Sequence, residues 1–404
     1  MHCGGTAIGR SVIQPFRILA LSAVVVWLLV PGRRALAQHA TAVPRQDFAH
    51  LAAEADAART SDRLAEAARL YQQALAMRPT WQKGWWSLGT VEYDRSQYAK
   101  SARAFQKLIS LQPKISDGTP YVMLGLCEFE LGEDGLALEN LEKGKSLGMA
   151  VDTQLRDVMR FHEGVLLQRM GKFESAREVL SGLCADGVET KELVDELGLV
   201  ALQSRDKRPP AEGSTAAYVV THVGEATCMA AQNKFDLARQ AYASVVQQYP
   251  DFANIHYAYG RLLLDAHDPA AAKQQFQLEI QNHPADVIAR LQIAAASYRI
   301  DSASGLPYAE QAVKLDPHYP FGHYMLGLLL LDTGNYSAAI PQLEIARRDF
   351  PNEAQVYFAL GSAYAHVGRK SDAARARAVF TQLQQHPVSA PAGSPGELDA
   401  RPQQ

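Results

Sequence analysis

Cysteine is scarce, four residues in 404, and no two stand in a Cys-x-x-Cys pair, so a zinc ribbon or thiol-redox centre has no ligand set. Beyond the first 37 residues only Cys127, Cys184 and Cys228 remain, an odd number at wide spacing. Small secreted domains that depend on disulfides carry more, in pairs. Cys127 and Cys228 sit among apolar neighbours, which makes buried small side chains the expectation and one bridge with a free thiol the alternative. Alternating runs of Val, Ile and Thr are missing as well, which leaves little for strands to form from. Alanine and leucine recur instead, the composition of an all-helical chain.

Signatures of chemistry are also missing. His162-Glu163 opens a metalloprotease helix, but Leu166 occupies the place of the second histidine. His318 and His323 flank a turn without a third ligand. Lys143-Gly144-Lys145-Ser146 ends like a phosphate-binding loop, yet Glu139 replaces its first glycine and no strand precedes it. No Gly-x-Ser-x-Gly elbow occurs. The expectation is a protein that is not an enzyme, with no catalytic residues, no cofactor and no metal. The net charge is −3. The first 37 residues hold Arg10, Arg17, Arg33 and Arg34 and no acid, so the remainder carries about −7. An acidic body disfavours nucleic acid as a partner.

One long apolar run is present, Ile18 to Val30, behind Arg10 and Arg17. It is short for a membrane span and suits a signal peptide over residues 1–37. Ala35-Leu36-Ala37 offers a small-x-small site with cleavage after Ala37. Arg33 and Arg34 between run and site leave open a second outcome, an uncleaved anchor of the inner membrane through residues 18–30, which is then the chain's sole membrane contact. The expected location is periplasmic or secreted.

The dominant signal is a period. Pro79, Pro113, Pro250, Pro284, Pro317 and Pro351 each close an apolar-periodic helix. Most of them recur at a spacing of about 34 residues, and one gap is close to four periods. Such self-similarity marks a solenoid of helical hairpins. With the closing proline taken as position 32 of its repeat, position 8 is Gly89, Ala226, Gly260, Gly327 or Gly361. Position 20 is Ala67, Ser101, Ala238, Ala272, Ala339 or Ala373. Small residues at both places let two helices cross closely, and Tyr71, Phe105, Tyr242, Phe276 or Leu343 at position 24 fills the adjoining gap. Repeats begin near 48, 82, 118, 157, 219, 253, 286, 320 and 354.

These residues resemble the tetratricopeptide repeat, whose pattern is Trp-x2-Leu-Gly-x2-Tyr, then Ala-x3-Phe, then Pro. Trp85, Leu88, Gly89, Phe105 and Pro113 match it in one repeat, and Tyr357, Leu360, Gly361, Tyr364 and Ala373 in another. The resemblance covers about 48–387 and implies an all-α, right-handed α-solenoid of stacked antiparallel hairpins, of an exported bacterial type. The expected organisation is a linker at 38–47, a block over 48–203 with four full repeats plus an unpaired helix at 191–203, a polar loop at 204–215, a five-repeat block over 216–387, and a disordered tail at 388–404. Arg205, Lys207 and Arg208 make the loop basic. It reads as an ordinary insertion, or as a hinge or a clip over a bound partner.

The resemblance implies a protein-interaction scaffold or adaptor in the cell envelope, gripping a peptide or helix on the concave faces of the first helices. The helical period puts Trp86, Tyr93, Phe129, Phe161, Tyr257, Arg261, Arg290, Phe321, Tyr324 and Phe358 there. Aromatic side chains in a groove give large contact area for little lost entropy. The asparagines of a chaperone-tail clamp are missing: Thr90, Leu126, Val165 and Arg261 stand in their place. A regulatory or recruiting subunit of an envelope enzyme complex, for secretion, outer-membrane or cytochrome assembly, is the alternative.

Overall fold

The computed structural model describes residues 47–149 and 153–385. The expected leader, most of the linker and the tail lie outside them. The described residues form nineteen α-helices and no strand. In chain order they are α1 (Phe48–Thr60), α2 (Leu64–Met77), α3 (Gln82–Asp94), α4 (Tyr98–Ser110), α5 (Thr119–Leu131), α6 (Asp134–Leu147), α7 (Thr153–Arg169), α8 (Phe173–Ala185), α9 (Lys191–Ala201) and α10 (Thr215–Ala231). There follow α11 (Phe235–Gln248), α12 (Ile255–Asp265), α13 (Pro269–Asn282), α14 (Val287–Ser297), α15 (Ser302–Leu315), α16 (Pro320–Asp332), α17 (Tyr336–Asp349), α18 (Ala354–His366) and α19 (Lys370–Gln385). Neighbours pack as hairpins, among them α1 with α2, α3 with α4, α12 with α13, α16 with α17 and α18 with α19.

The bend of each hairpin is set by one residue. At the fifteenth position Asp62, Ser96, Gly132, Gly171, Asn233, His267, Gly334 and Gly368 all have φ between 56 and 80°. Glycine adopts this left-handed conformation freely, and Asn or Asp tolerates it, which explains much of the choice. The crossing of the two helices is equally specific. A Cβ added to Gly89 would stand 2.7 Å from the Phe105 ring, one on Gly260 2.6 Å from Phe276, and one on Gly327 2.6 Å from Leu343. The missing side chain at position 8 is thus the space that position 24 occupies, and Ser101 at position 20 donates its hydroxyl to the Gly89 carbonyl at 2.8 Å. Helix-closing prolines acquire a partner from the next helix. The Trp85 indole N–H donates to the Pro79 carbonyl, the Tyr357 hydroxyl to that of Pro351, and His323 Nε2 faces that of Pro317, all at 2.8–2.9 Å. The fourth position therefore asks for an aromatic ring with a polar tip.

The middle of the chain departs from the expectation. The helix expected to stand unpaired, α9, lies against α10 with the two backbones in close approach. A Cβ on Gly198 would fall 1.9 Å from the Val220 carbonyl oxygen, and one on Gly224 1.8 Å from that of Val194. Two glycines on facing helices let the backbones touch, so the seventeen-residue α10 serves α9 on one side and α11 on the other. Gln203, at φ 53°, ends α9 with the same left-handed residue as every other first helix. Gly198→Ala must push backbone from backbone and is expected to cost about 3 kcal/mol, an overpacking loss at the upper end of its usual range. Gly135→Ala, with nothing within 4 Å of the added Cβ, is expected to cost nothing. Urea unfolding of the two variants side by side checks the difference.

The described residues fall into two compact units, one running to Leu131 and resuming over Lys143–Val158, the other made of Gly132–Glu142 and the chain from Met159 onward. The division therefore does not lie at the 204–215 loop. Contacts within the second unit explain this. Cys184 of α8 is bridged to Cys228 of α10, across 44 residues of sequence. The loop is tied to the chain ahead of it: Gln168 Nε2 donates to the Ser204 carbonyl at 2.5 Å and to that of Asp206 at 3.2 Å. Lys207 pairs with Asp134 at 3.0 Å, and the Arg205 guanidinium rests over Gly171. Arg205 and Lys207 are thus engaged by the protein itself, as the side chains of an ordinary insertion would be. The bridge corrects the expectation that Cys228 is an unbonded buried side chain and matches the alternative, one bridge with a free thiol. Cys127 remains a free thiol, buried and donating to Ser101 Oγ at 3.1 Å; burial pushes it up to about 12.

Candidate protein-binding surfaces

In the first unit the first helices leave three of the expected side chains half-exposed. Trp86 meets the Phe105 ring edge-on at 5.5 Å, so its position is fixed by the hairpin that carries it. Tyr93 stands edge-on to Tyr98 at 5.4 Å. Burial, then the charge of Glu130, pushes its phenol far above the usual range, so it acts as a neutral hydroxyl at every physiological pH. Phe129 is half-exposed on α5.

The second unit keeps only two of its seven on the surface. Phe161 is half-exposed and stands edge-on to His162 at 5.5 Å. Phe358 is 51% exposed, with Phe380 at 5.5 Å beside it on the last helix. Tyr257, Arg261, Arg290, Phe321 and Tyr324 are buried, which withdraws them as ligand contacts. Phe321 and Tyr324 lie on α16, whose residues from Phe321 to Leu330 are all buried. A helix apolar all round belongs in an interior, whatever the repeat register says. Arg290 is occupied locally: Nη1 donates to the Asp286 carbonyl at 2.6 Å and Nε to Gln311 Oε1 at 3.2 Å.

Tyr257 and Arg261 are covered for a different reason. Arg261 of α12 donates from Nη2 to Glu174 Oε2 of α8 at 2.8 Å and from Nη1 to Gln292 Oε1 at 3.2 Å. Arg177, one turn along α8, binds Glu174 at 3.2 Å and reaches Asp265 of α12 at 2.9 Å. The Tyr257 hydroxyl donates to Glu174 Oε1 at 3.4 Å. Repeats of a solenoid ordinarily touch only their neighbours. Here two arginines and two carboxylates join helices 83 to 88 residues apart, beside a cavity of about 110 Å³ walled by Phe173, Tyr242 and Tyr257. Sequence reading found Tyr257 and Arg261 but missed Glu174, Arg177 and Asp265. Glu174 and Arg177 look like an ordinary exposed i,i+3 pair on a second helix, and nothing local announces a partner so far along the chain.

Burial pushes the Glu174 carboxyl up, but the Arg261 and Arg177 guanidiniums outweigh it and hold it below the usual carboxylate range. Its contribution to stability is therefore complete above the ordinary carboxylate range and is lost as pH falls through the depressed value. Glu174→Gln is expected to cost about 2 kcal/mol at pH 7, the scale of lost hydrogen bonds to charged groups, and to approach the parent chain in acid. Urea unfolding across pH checks both.

Stacked helical hairpins with small residues at the crossing and a left-handed residue at the bend define an α-solenoid. The chain is a tetratricopeptide-repeat protein: the Tetratricopeptide repeat family model matches residues 52–118, 230–287 and 324–384, and its repeats build a protein-interaction scaffold. Superkiller protein 3 of Schizosaccharomyces pombe is 26% identical over 153 residues, 36% of this chain. The match spans 11% of that relative's length. Among solved structures, a crystal structure of MamA matches 40% of this chain and 94% of its own at 20% identity and a TM-score of 0.37. The APC/C hetero-tetramer Cut9–Hcn1 matches 85% of this chain and 88% of its own at 13% identity and a TM-score of 0.34.

Proposed function

We propose that this chain is a non-catalytic adaptor of the cell envelope that holds a partner peptide or helix on the exposed faces of its first helices. The observation that carries the reading is that Trp86, Tyr93, Phe129, Phe161 and Phe358 stay half-buried to exposed while the hairpins behind them are closed. Rigid, partly exposed aromatic rings are efficient anchors. Two features support an envelope location: the arginine-flanked apolar run with its small-x-small site, and the Cys184–Cys228 bridge, a bond that persists in oxidising compartments. Partner capture from envelope extract tests the reading, with the chain from Gln38 beside W86A/F129A/F161A/F358A as baits. Circular dichroism first establishes that the variant folds. A partner held by the parent and lost by the variant is expected; the same partners on both baits would overturn it. Cell fractionation tests the location separately, with the protein expected outside the cytoplasm.

A further inference from the structure

The first unit carries a second surface that Trp86, Tyr93 and Phe129 do not line. Between α2 and α4, over α3, lies an open cavity of about 500 Å³. Leu75, Leu88 and Ala104 form its buried floor. Trp85 forms a half-buried wall, its ring held by the bond from its indole N–H to the Pro79 carbonyl. These side chains lie on a different face of α3 from Trp86 and Tyr93: Trp85, Leu88 and Glu92 recur at steps of three and four residues along one stripe.

The rim is basic. Lys100 and Arg103 of α4 line the cavity, and Lys107 follows one turn on. All three are exposed, α4 contains no acidic residue, and no acid among the described residues pairs with any of them. The acid that lines the cavity, Glu92, is withdrawn: its carboxylate is 1% exposed and accepts from Arg95 at 2.8 Å and Gln72 at 3.4 Å. In a chain of net negative charge this stripe is a local reversal.

We propose that this groove docks a short acidic segment of a partner protein, with one large apolar side chain seated over Leu75 and Leu88 and its carboxylates on Lys100, Arg103 and Lys107. Charge complementarity selects the occupant, and the apolar floor requires that it also bring a hydrophobic side chain. A nucleic-acid strand fits less well, because it asks for cations along its whole path, whereas α2 offers Gln72, Leu75 and Ala76 across the cavity. The surface does not include Trp86, Tyr93 or Phe129, so either can fail without the other.

Fluorescence anisotropy on the chain from Gln38 tests the proposal with three labelled probes: a Glu/Leu peptide, the same peptide with Lys for Glu, and a short single-stranded RNA. The Glu/Leu peptide is expected to bind and the Lys version not to. K100E/R103E/K107E is expected to weaken binding at least about tenfold, and the neutral K100Q/R103Q/K107Q by less. A76W, placed at the exposed edge to fill the cavity, is expected to weaken it by a similar factor, while W86A/Y93A leaves it unchanged. No binding of the Glu/Leu peptide, equal binding of the Lys peptide, or tighter binding of the RNA would overturn the proposal. Indifference to the charge reversal or to A76W, with circular dichroism unaltered, would do the same.

Discussion

With Cys184 and Cys228 both replaced by Ala, the protein is expected to lose about 4 kcal/mol of stability, the loss concentrated in the second unit. The bridge closes a loop of 44 residues, and chain-entropy arithmetic for that length gives about 4 kcal/mol at 25 °C. What the loop encloses makes the consequence local. Between the two cysteines lie α9, the polar connection and most of α10. α9 is held by its glycine crossing with α10, and the polar connection by a handful of bonds to the chain ahead of it. Hydrogen exchange is expected to rise first over α9 and residues 204–214, while α1 to α4 keep their protection. Cys127→Ala serves as the control in both backgrounds. A thiol buried and pushed up to about 12 stays protonated and unreactive, so its removal is expected to leave the pattern unchanged. Unaltered exchange over α9 in the double variant would show that packing alone holds the insertion.

The next largest effect concerns Glu196, on the same helix. It is 9% exposed and its Oε1 has no hydrogen-bond partner. Burial pushes its carboxyl up to about 7, against the pull of Arg169, and neighbouring Asp195 adds to the rise. Asp195 itself is satisfied, by Lys191 at 2.5 Å and the Thr221 hydroxyl at 2.6 Å, which leaves Glu196 to take up the proton. The folded state binds that proton more tightly than the unfolded chain does. Stability from this group is therefore complete below the ordinary carboxylate value and is lost as pH rises toward 7. Integrated over that interval the loss is on the order of 3 kcal/mol. Glu196→Gln is expected to be about 3 kcal/mol more stable than the parent at pH 8 and close to it at pH 4. Urea unfolding of both chains at the two pH values reads the difference; equal slopes with pH would mean that Glu196 is ionised and solvated in the folded protein.

Both effects fall where the sequence was least legible, and the reason is physical. The repeat was readable because each of its determinants is local. A glycine at position 8 admits the ring at position 24, and proline ends the second helix, both inside a single repeat. The centre of the molecule depends on long-range contacts instead. Gly198 and Gly224 announce a crossing only when set side by side, because the loop between α9 and α10 hides their pairing. Cys184 and Cys228 lie on helices of different registers, and the Glu174–Arg261 contact spans 87 residues. The candidate surface was half legible for a related cause. Period alone ranks positions on a helix but does not say whether the opposite face is polar. On α3 the exposed polar residues Gln82 and Lys83, one turn ahead of it, left Trp86 near water. On α16 the run from Met325 to Leu331 supplied no polar face, and Phe321 and Tyr324 went inside with it.

The central claim is that partners are held by the aromatic side chains left exposed on first helices, and site-specific photo-crosslinking tests it most directly. A benzophenone amino acid is placed singly at Trp86, Phe161 or Phe358, and at Leu237 on the exposed side of second helix α11. After irradiation in cells, crosslinks to one partner are expected from the three first-helix positions and not from Leu237. Crosslinks from Leu237 alone, or from no first-helix position while the partner still co-purifies, would contradict the account.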